Sequence, residues 1–183
     1  MVGKVITQDF FLRGSEYLKF VRELALSPEM LDVSEEINSR IQICNWIGAN
    51  IEMVNRRLRS YLEACHACFH PEKRREIQIW AAPLAQKFGV DAFCNLQVKP
   101  VAILVDVGRI VPQDWFSVVV HEYAHAHLGY PGHDRRFFDV LTHLCLGLGL
   151  QPPTYQPDNL AILPNWPHCQ PTAQPLAFWM GSC

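Results

Sequence analysis

The chain has 183 residues, of which 49% are hydrophobic and 19% are charged, and its formal net charge at pH 7 is −2. These values are typical of a globular protein and exclude a disordered or fibrous chain, while the small net charge argues against a protein that mainly coats nucleic acid. The length suits one domain around one hydrophobic core. No signal peptide is expected at the N-terminus, and the longest apolar run, residues 140–150, is too short to span a bilayer.

The seven cysteines predict reduced thiols and a cytoplasmic location, because their odd number and irregular spacing make a poor disulfide framework. Cys65 and Cys68 form the only CxxC pair, so a four-cysteine zinc ribbon is excluded. With His66 and His70, this pair could supply half of a second metal site. The competing interpretation is a core thiol at Cys65, which continues an apolar helical stripe.

Helical periodicity dominates the first 70 residues. Apolar positions predict a short helix over residues 15–26, and Asp32 followed by Glu35 has the spacing of a capping box. Apolar residues then recur at every third or fourth position, which predicts a long helix over residues 37–69.

The middle of the chain combines a helical and a β-rich pattern. Residues 72–90 predict a further helix, with Pro83 as a kink or a late start. Residues 92–98 and 101–110 are short apolar runs rich in β-branched residues, which predicts two strands that could pair as a hairpin.

Two helices and a proline-rich tail are predicted next. One helix begins after Asp114 and ends at Gly129, and the other covers residues 134–150. Residues 151–175 hold seven of the 13 prolines and no lysine or arginine. This composition favours an extended tail packed over the surface rather than a second domain.

The sequence His121-Glu122-Tyr123-Ala124-His125 is an HExxH motif. Residues four apart on a helix point about 40° apart, so both imidazoles can bind one zinc ion. Glu122 lies beside that face and is not placed as a ligand. Zinc lowers the pKa of its bound water, and a carboxylate in this position can take the proton as the water attacks a carbonyl.

A catalytic zinc ion needs a third protein ligand. His133 is the first candidate, because the turn after Gly129 can bring it back toward the metal, and Asp134 is the second. His127 is a poor candidate, because a residue two positions after His125 points about 200° away on a helix.

Other residues are candidates for stabilising the transition state. Tyr130, His143 and Tyr155 are unranked, and a core position is favoured for His143.

The residues "VVVHEYAH" followed by "GHDRRFFDVL" resemble the SprT-like and YgjP-like minimal zinc metallopeptidases over residues 75–150. Those families pair an HExxH helix with a third histidine and an aromatic residue four positions later, here His133 and Phe137. The resemblance implies zinc ligands at His121, His125 and His133, with Glu122 as the catalytic base. It also implies that the strand near Ile103 to Val107 is an edge strand over the cleft, which could hold an extended substrate by β-augmentation. The spacer before His133 is slightly longer than in the YgjP-like pattern, and the SprT-like zinc ribbon is missing.

Two further families share part of this stretch. "HEYAHAHLGYPGHD" is similar to the metzincin pattern HExxHxxGxxHD, with two extra residues and without an obvious Met-turn. The YbeY-like metal-dependent nucleases have a related ending but lack the glutamate of HExxH. Glu122 therefore favours peptidase over nuclease chemistry.

The tail carries two thiols, Cys169 and Cys183, and a thiolate is a good zinc ligand. One hypothesis is that the tail crosses the cleft and that one of these cysteines caps the metal in a latent state. The competing interpretation is a tail that packs as structure.

The sequence therefore predicts an α+β fold: a mostly helical single domain with a small β-sheet. Residues 1–150 form a zincin-like domain, with a helical frame (1–70) and a catalytic core (75–150), and residues 151–183 form the tail. The predicted function is zinc-dependent peptide hydrolysis, with a protein or peptide substrate and no membrane. The alternatives are a catalytically silent zinc-binding interaction protein and a nuclease. A basic cluster in the sequence could bind nucleic acid, but such a cluster is more often a solvated face, so a nucleic-acid partner is disfavoured. The cluster consists of Arg56, Arg57, Arg59, Lys73, Arg74 and Arg75.

Overall fold

The structure is a computed structural model that describes residues 2–31, 34, 36–154 and 166–182, with side chains described from residue 9 onward. In chain order its helices and strands are α1 Val2–Leu24, α2 Ile37–Ala67, β1 Ile77–Ala81, β2 Ala92–Asn95, β3 Val101–Val105, α3 Trp115–Leu128, α4 Arg135–Leu148 and α5 Pro175–Trp179. Short 3₁₀ turns occur at Pro28–Leu31, Pro71–Lys73 and Gln86–Phe88. The predicted α+β class, mostly helical with a small sheet, is confirmed.

Helices α1 and α2 pack closely against each other. A side chain at Gly14 or Gly48 would collide with the backbone of the partner helix, so glycine permits the close approach at both points. The predicted long helix is confirmed as α2, whereas α1 begins earlier and ends sooner than the helix predicted over residues 15–26. The predicted capping pair, Asp32 and Glu35, lies outside the described residues.

The prediction of a helix over residues 72–90 is wrong, because this segment contains strand β1. Ile79 and Ala81 are buried, whereas Trp80 between them is half-buried, which is the two-residue alternation of a strand. β1 pairs in parallel with β3, from Ile77 opposite Val101 to Ala81 opposite Val105. This pairing joins segments more than 20 residues apart, so local periodicity does not reveal it.

Strand β3 is the centre of the sheet, whose strand order is β1-β3-β2. The predicted hairpin is confirmed: β2 and β3 are antiparallel, with Ala92 opposite Val105 and Asn95 opposite Ala102. The prediction that Ile103 to Val107 form an edge strand is wrong, because β3 is paired on both sides. The strand that has an edge beside α3 is β2.

Helix α3 is buried along most of its length, with ten of its 14 residues inside the protein. Gly129 ends it in the left-handed conformation (φ 65°), as predicted. The carboxylate of Asp114 does not cap the helix; it accepts a hydrogen bond from the backbone amide of Gln170 instead. Within the described ranges, no helix combines the length and the apolar character that crossing a membrane requires.

The C-terminal segment contributes to the core rather than only covering it. Residues 175–179 form α5, and Trp179 on this helix has no exposed surface. Its indole Nε1–H donates a hydrogen bond of 2.7 Å to the buried Asp106 carboxylate. Its ring packs edge to face against Trp46 of α2, with ring centroids 5.5 Å apart. The prediction of an extended surface tail is therefore wrong for residues 175–179. These residues form a helix, and the contacts of Trp179 with Trp46 and Asp106 hold this helix against the core.

Replacing Trp179 with alanine removes a buried ring and leaves Asp106 without one of its donors. We expect Trp179→Ala to lower the free energy of unfolding by about 3–5 kcal/mol, measured by urea denaturation. Leu146→Ala is the control, because Leu146 is 70% exposed, and its effect should stay within about 0.5 kcal/mol. Equal stability of the two variants would contradict the role assigned to Trp179.

Candidate metal centre

Three histidine side chains converge beside β2. The Nε2 atoms of His121 and His125 are 3.3 Å apart, and the Nε2 atom of His133 lies 3.1 Å from each of them. His121 and His125 are one turn apart on α3, and His133 lies in the loop before α4. The structure thus brings together the three predicted ligands, and the described residues contain no other group of three or more potential metal ligands.

The spacing of the three nitrogens fits a tetrahedral ion. Two ligands at about 2.0–2.1 Å from a tetrahedral zinc ion are about 3.3 Å apart, close to the observed 3.1–3.3 Å between the Nε2 atoms. Imidazole nitrogen is also a ligand that zinc prefers. The donor set therefore fits a zinc ion with three protein ligands, the number found in catalytic sites.

A backbone contact determines which nitrogen of His125 is free. His125 Nδ1 lies 3.0 Å from the carbonyl oxygen of Tyr130. Because a carbonyl can only accept, Nδ1 carries the proton and donates it. In the neutral ring, Nε2 then presents its lone pair to the cluster. Contacts of this kind fix the orientation of metal-binding imidazoles.

Phe137 packs against all three imidazoles. This side chain on α4 has no exposed surface. Its ring centroid lies 4.3 Å from that of His125, 4.7 Å from that of His133 and 5.0 Å from that of His121. The aromatic residue four positions after His133 therefore holds the rings of the cluster in place.

Burial keeps the three imidazoles neutral. It lowers the pKa of His121 to about 3 and that of His125 to about 4, and it lowers the pKa of His133. The neighbouring histidines lower the pKa of His121 further, and the Trp166 backbone opposes this effect. His121 Nδ1 nevertheless has no hydrogen bond of normal geometry in the described part of the chain. Neutral rings leave lone pairs available to a metal at neutral pH.

Glu122 lies beside the nitrogen cluster and does not belong to it. The residue is 9% exposed, and its carboxyl has no hydrogen-bond partner among the described residues. Burial raises its pKa from 4.5 to about 8. The structure therefore provides a carboxyl group that exchanges its proton near neutral pH, next to the candidate ligands.

Two cavities meet at Ala92, His121 and Glu122. The larger, about 550 Å³, is also lined by Gly89–Asp91, by Val118 and by Trp166–Cys169. The smaller, about 220 Å³, extends past Cys94 of β2 to His133. Together they form a cleft that follows β2 and passes the histidine cluster.

Asp134 and His127, the other ligand candidates, do not join the cluster. The carboxylate of Asp134 caps α4 by accepting hydrogen bonds from two backbone amides of its first turn. His127 stacks on Phe69, with ring centroids 4.0 Å apart, on the side of α3 that faces α2. The prediction that His127 points away from the metal is therefore confirmed.

The two described candidates for transition-state stabilisation, Tyr130 and His143, do not belong to the cluster. The Tyr130 ring packs under the guanidinium of Arg136, 4.5 Å from its centroid, and it is the Tyr130 backbone that contacts the cluster. His143 is exposed, and its Nε2 bonds to the carbonyl oxygen of Cys68 at 2.8 Å, so the favoured core position is wrong. Tyr155 lies outside the described residues.

The described cysteines do not contribute to the histidine cluster. Cys65 has no exposed surface and belongs to the core, and the described residues contain no second cluster of metal ligands around it or Cys68. Cys169 lines the larger cavity, but its sulfur is not in the ligand cluster. Burial and the nearby carboxylates of Asp114 and Asp91 raise the pKa of Cys169 to about 12, which disfavours a thiolate. Cys183 lies outside the described residues.

Sequence reasoning missed two contributors to the cleft. One is the edge of β2, which was hidden by the assignment of β3 as the edge strand. The other is the segment Trp166–Cys169, which lies about 45 residues after the HExxH motif and reaches the cleft through tertiary contacts. No local pattern connects either segment with the motif.

Comparisons of the chain with models of protein families, with curated proteins and with solved structures find no match. The functional interpretation therefore rests on the geometry and chemistry of the site.

The three-histidine cluster predicts loss of metal when one ligand is removed. Losing a hydrogen-bond partner of a metal ligand typically weakens metal binding by about 10- to 100-fold. We expect His133→Ala, which removes a ligand itself, to weaken zinc binding by more than this. Competition with a chromophoric chelator measures the affinity. His143→Ala is the matched control and should retain wild-type affinity, because His143 is not in the cluster. Equal affinity of both variants would exclude His133 as a ligand.

The buried carboxyl predicts a pH effect on the metal-free protein. Because burial raises the pKa of Glu122 to about 8, the folded state keeps a proton that the unfolded chain releases above pH 4.5. The free energy of unfolding of the wild type, relative to that of Glu122→Gln, should be highest below pH 4.5 and fall by on the order of 4 kcal/mol as the pH rises to 8. Urea denaturation in the presence of a chelator measures this difference. A difference that is independent of pH would show that Glu122 titrates normally.

Proposed function

We propose that the protein is a zinc-dependent peptidase in which His121, His125 and His133 hold the metal and Glu122 is the general base. The observation that carries this proposal is the position of Glu122. It adjoins a cluster of three neutral imidazoles, it is not one of the ligands, and it lies in the cleft. A metal site with a purely structural role does not require a buried carboxyl without a partner, which is destabilising by itself.

The protonation chemistry of Glu122 supports a role in hydrolysis. A general acid or base works best when its pKa is near the working pH, and burial raises the pKa of this carboxyl to about 8. When bound, a zinc ion supplies Lewis-acid activation of water and of a carbonyl group, and its charge favours the ionised carboxylate. Glu122 then accepts a proton from the attacking water and donates it to the leaving amine.

The edge of β2 supports a peptide as the substrate. β2 is hydrogen-bonded to β3 on one side only, and its residues line both cavities of the cleft. A peptide in an extended conformation can pair with such an edge, which aligns one peptide bond with the reacting groups. Binding along β2 replaces the role predicted for β3.

The six described cysteines are all free, which supports the proposed location in the reducing cytoplasm.

The variant Glu122→Gln tests catalysis separately from metal binding. This variant keeps the shape of the side chain and all three imidazoles, so we expect it to retain stoichiometric zinc and to lose about 10²- to 10⁴-fold in the rate of peptide cleavage. The measurement combines metal analysis with cleavage of a peptide library followed by mass spectrometry. Glu72→Gln, at a side chain that is 85% exposed, is the matched control and should cleave like the wild type.

The two alternatives give different results in the same experiment. A catalytically silent zinc-binding protein would hold zinc and leave the peptide library intact. A nuclease would leave peptides intact and cleave single-stranded or double-stranded RNA or DNA in a metal-dependent manner. Either outcome would replace the peptidase proposal.

A further inference from the structure

The larger cavity of the cleft is lined in part by a segment that is distant in sequence, Trp166–Cys169, here called the wall segment. Gly89–Ala92, Val118, His121 and Glu122 complete the lining. Trp166 and Cys169 also pack against the main hydrophobic core. This wall is thus a built part of the protein.

Backbone contacts hold the wall segment in place just beyond Cys169. The Gln170 amide donates to the Asp114 carboxylate at 2.7 Å, and the Gln170 carbonyl accepts from the Val111 amide at 3.0 Å. The Thr172 amide donates to the Arg109 carbonyl at 2.8 Å. The segment is therefore attached to the loop before α3, the helix that carries His121 and Glu122.

The charged side chains among the described residues that line the larger cavity are acidic. Asp91 and Glu122 are its acidic lining residues, and its described lining includes no lysine or arginine. Asp91 is 48% exposed and has a loose ion pair with Arg109, at 3.9 Å. Arg109 itself is committed to Asp106, at 3.3 Å. Besides burial, the carboxylate of Asp91 contributes to the raised pKa of Cys169, which lines the same cavity.

The direction of a bound peptide follows from the order of residues along β2. β2 runs from Ala92, beside the larger cavity, toward Leu96, beside the smaller one. A peptide that pairs with this edge in the antiparallel manner, the slightly more stable arrangement, runs the opposite way. Its residues C-terminal to the cleaved bond then enter the larger cavity, and its residues N-terminal to that bond enter the smaller one.

We propose that Asp91 and the wall Trp166–Cys169 form a specificity site that accepts a long basic side chain, lysine or arginine, directly C-terminal to the cleaved bond. This inference rests on the proposed peptidase function. The volume of about 550 Å³, against about 220 Å³ on the other side, admits the long side chain. Asp91 supplies the charge partner, and the exposed His168 lines the same cavity.

The test uses the full-length zinc-loaded protein and a peptide library derived from whole-proteome digests, with mass spectrometry of the new N-termini. The wild type should enrich lysine and arginine at the new N-terminus. Asp91→Asn and His168→Lys should each lower the ratio of basic to uncharged residues at that position by about three- to fivefold, as expected for a partly exposed charge. The matched controls Asp139→Asn and His70→Lys, at exposed positions that do not line the cavity, should keep the wild-type ratio.

The outcomes separate the two proposals. Cleavage that depends on Glu122 but shows no basic preference, or a preference unchanged in Asp91→Asn and His168→Lys, overturns the specificity site and leaves the peptidase standing. Enrichment of basic residues on the N-terminal side of the cleaved bond also overturns it. If the wild type cleaves no peptide, or Glu122→Gln cleaves equally well, the peptidase proposal falls and the specificity site with it.

Discussion

Helix α3 places two histidines and a glutamate inside the protein, and the cost of burying their charged forms governs the rest of the site. The imidazoles respond by remaining neutral, with pKa values of about 3 for His121 and about 4 for His125. The carboxyl of Glu122 responds in the opposite sense, with a pKa of about 8. Both shifts have burial as their largest cause. Burial thus leaves the imidazole lone pairs free to bind a cation, and it gives the neighbouring carboxyl group a pKa near neutral pH.

Neutral lone pairs that point at one another are themselves unfavourable, so their convergence needs support from the surrounding structure. Phe137 contacts all three rings from the first turn of α4, and the Tyr130 carbonyl accepts a hydrogen bond from His125 Nδ1. Tyr130 belongs to the connection between α3 and α4, and this connection also positions α4 with Phe137. The left-handed turn at Gly129 starts this connection, and the Asp134 cap ends it. The geometry of the cluster is therefore a property of this connection as much as of the HExxH helix.

The C-terminal segment links the cleft to the core. Trp179 fills a site between α2 and the loop after β3, and its hydrogen bond to Asp106 ties the end of the chain to the sheet. Trp166–Cys169, earlier in the same segment, line the cleft. A truncation after Leu150, one test of whether the tail inhibits the site, would also remove this buried tryptophan. Loss of activity in such a truncation would therefore report on folding as well as on the cleft, and substitutions at single lining residues are more informative.

The sequence by itself determined the α+β class, the long helix α2, the β2–β3 hairpin and the placement of His121, Glu122 and His125 on one helix, because each follows from a local pattern of spacing or burial. It left the third member of the cluster open between His133 and Asp134, and the tertiary structure decided for His133, because the Asp134 carboxylate caps α4. It did not determine strand β1 or the central position of β3, since parallel pairing joins segments that no local periodicity connects. It placed His143 in the core, whereas α4 presents this residue at the surface, where it bonds to Cys68. Only the tertiary structure decided that β2 borders the cleft and that Trp166–Cys169 form its second wall. The physical reason is that a cleft is formed by surfaces that meet in space, and the hydrogen bonds and buried rings that bring them together are made between residues far apart in the chain.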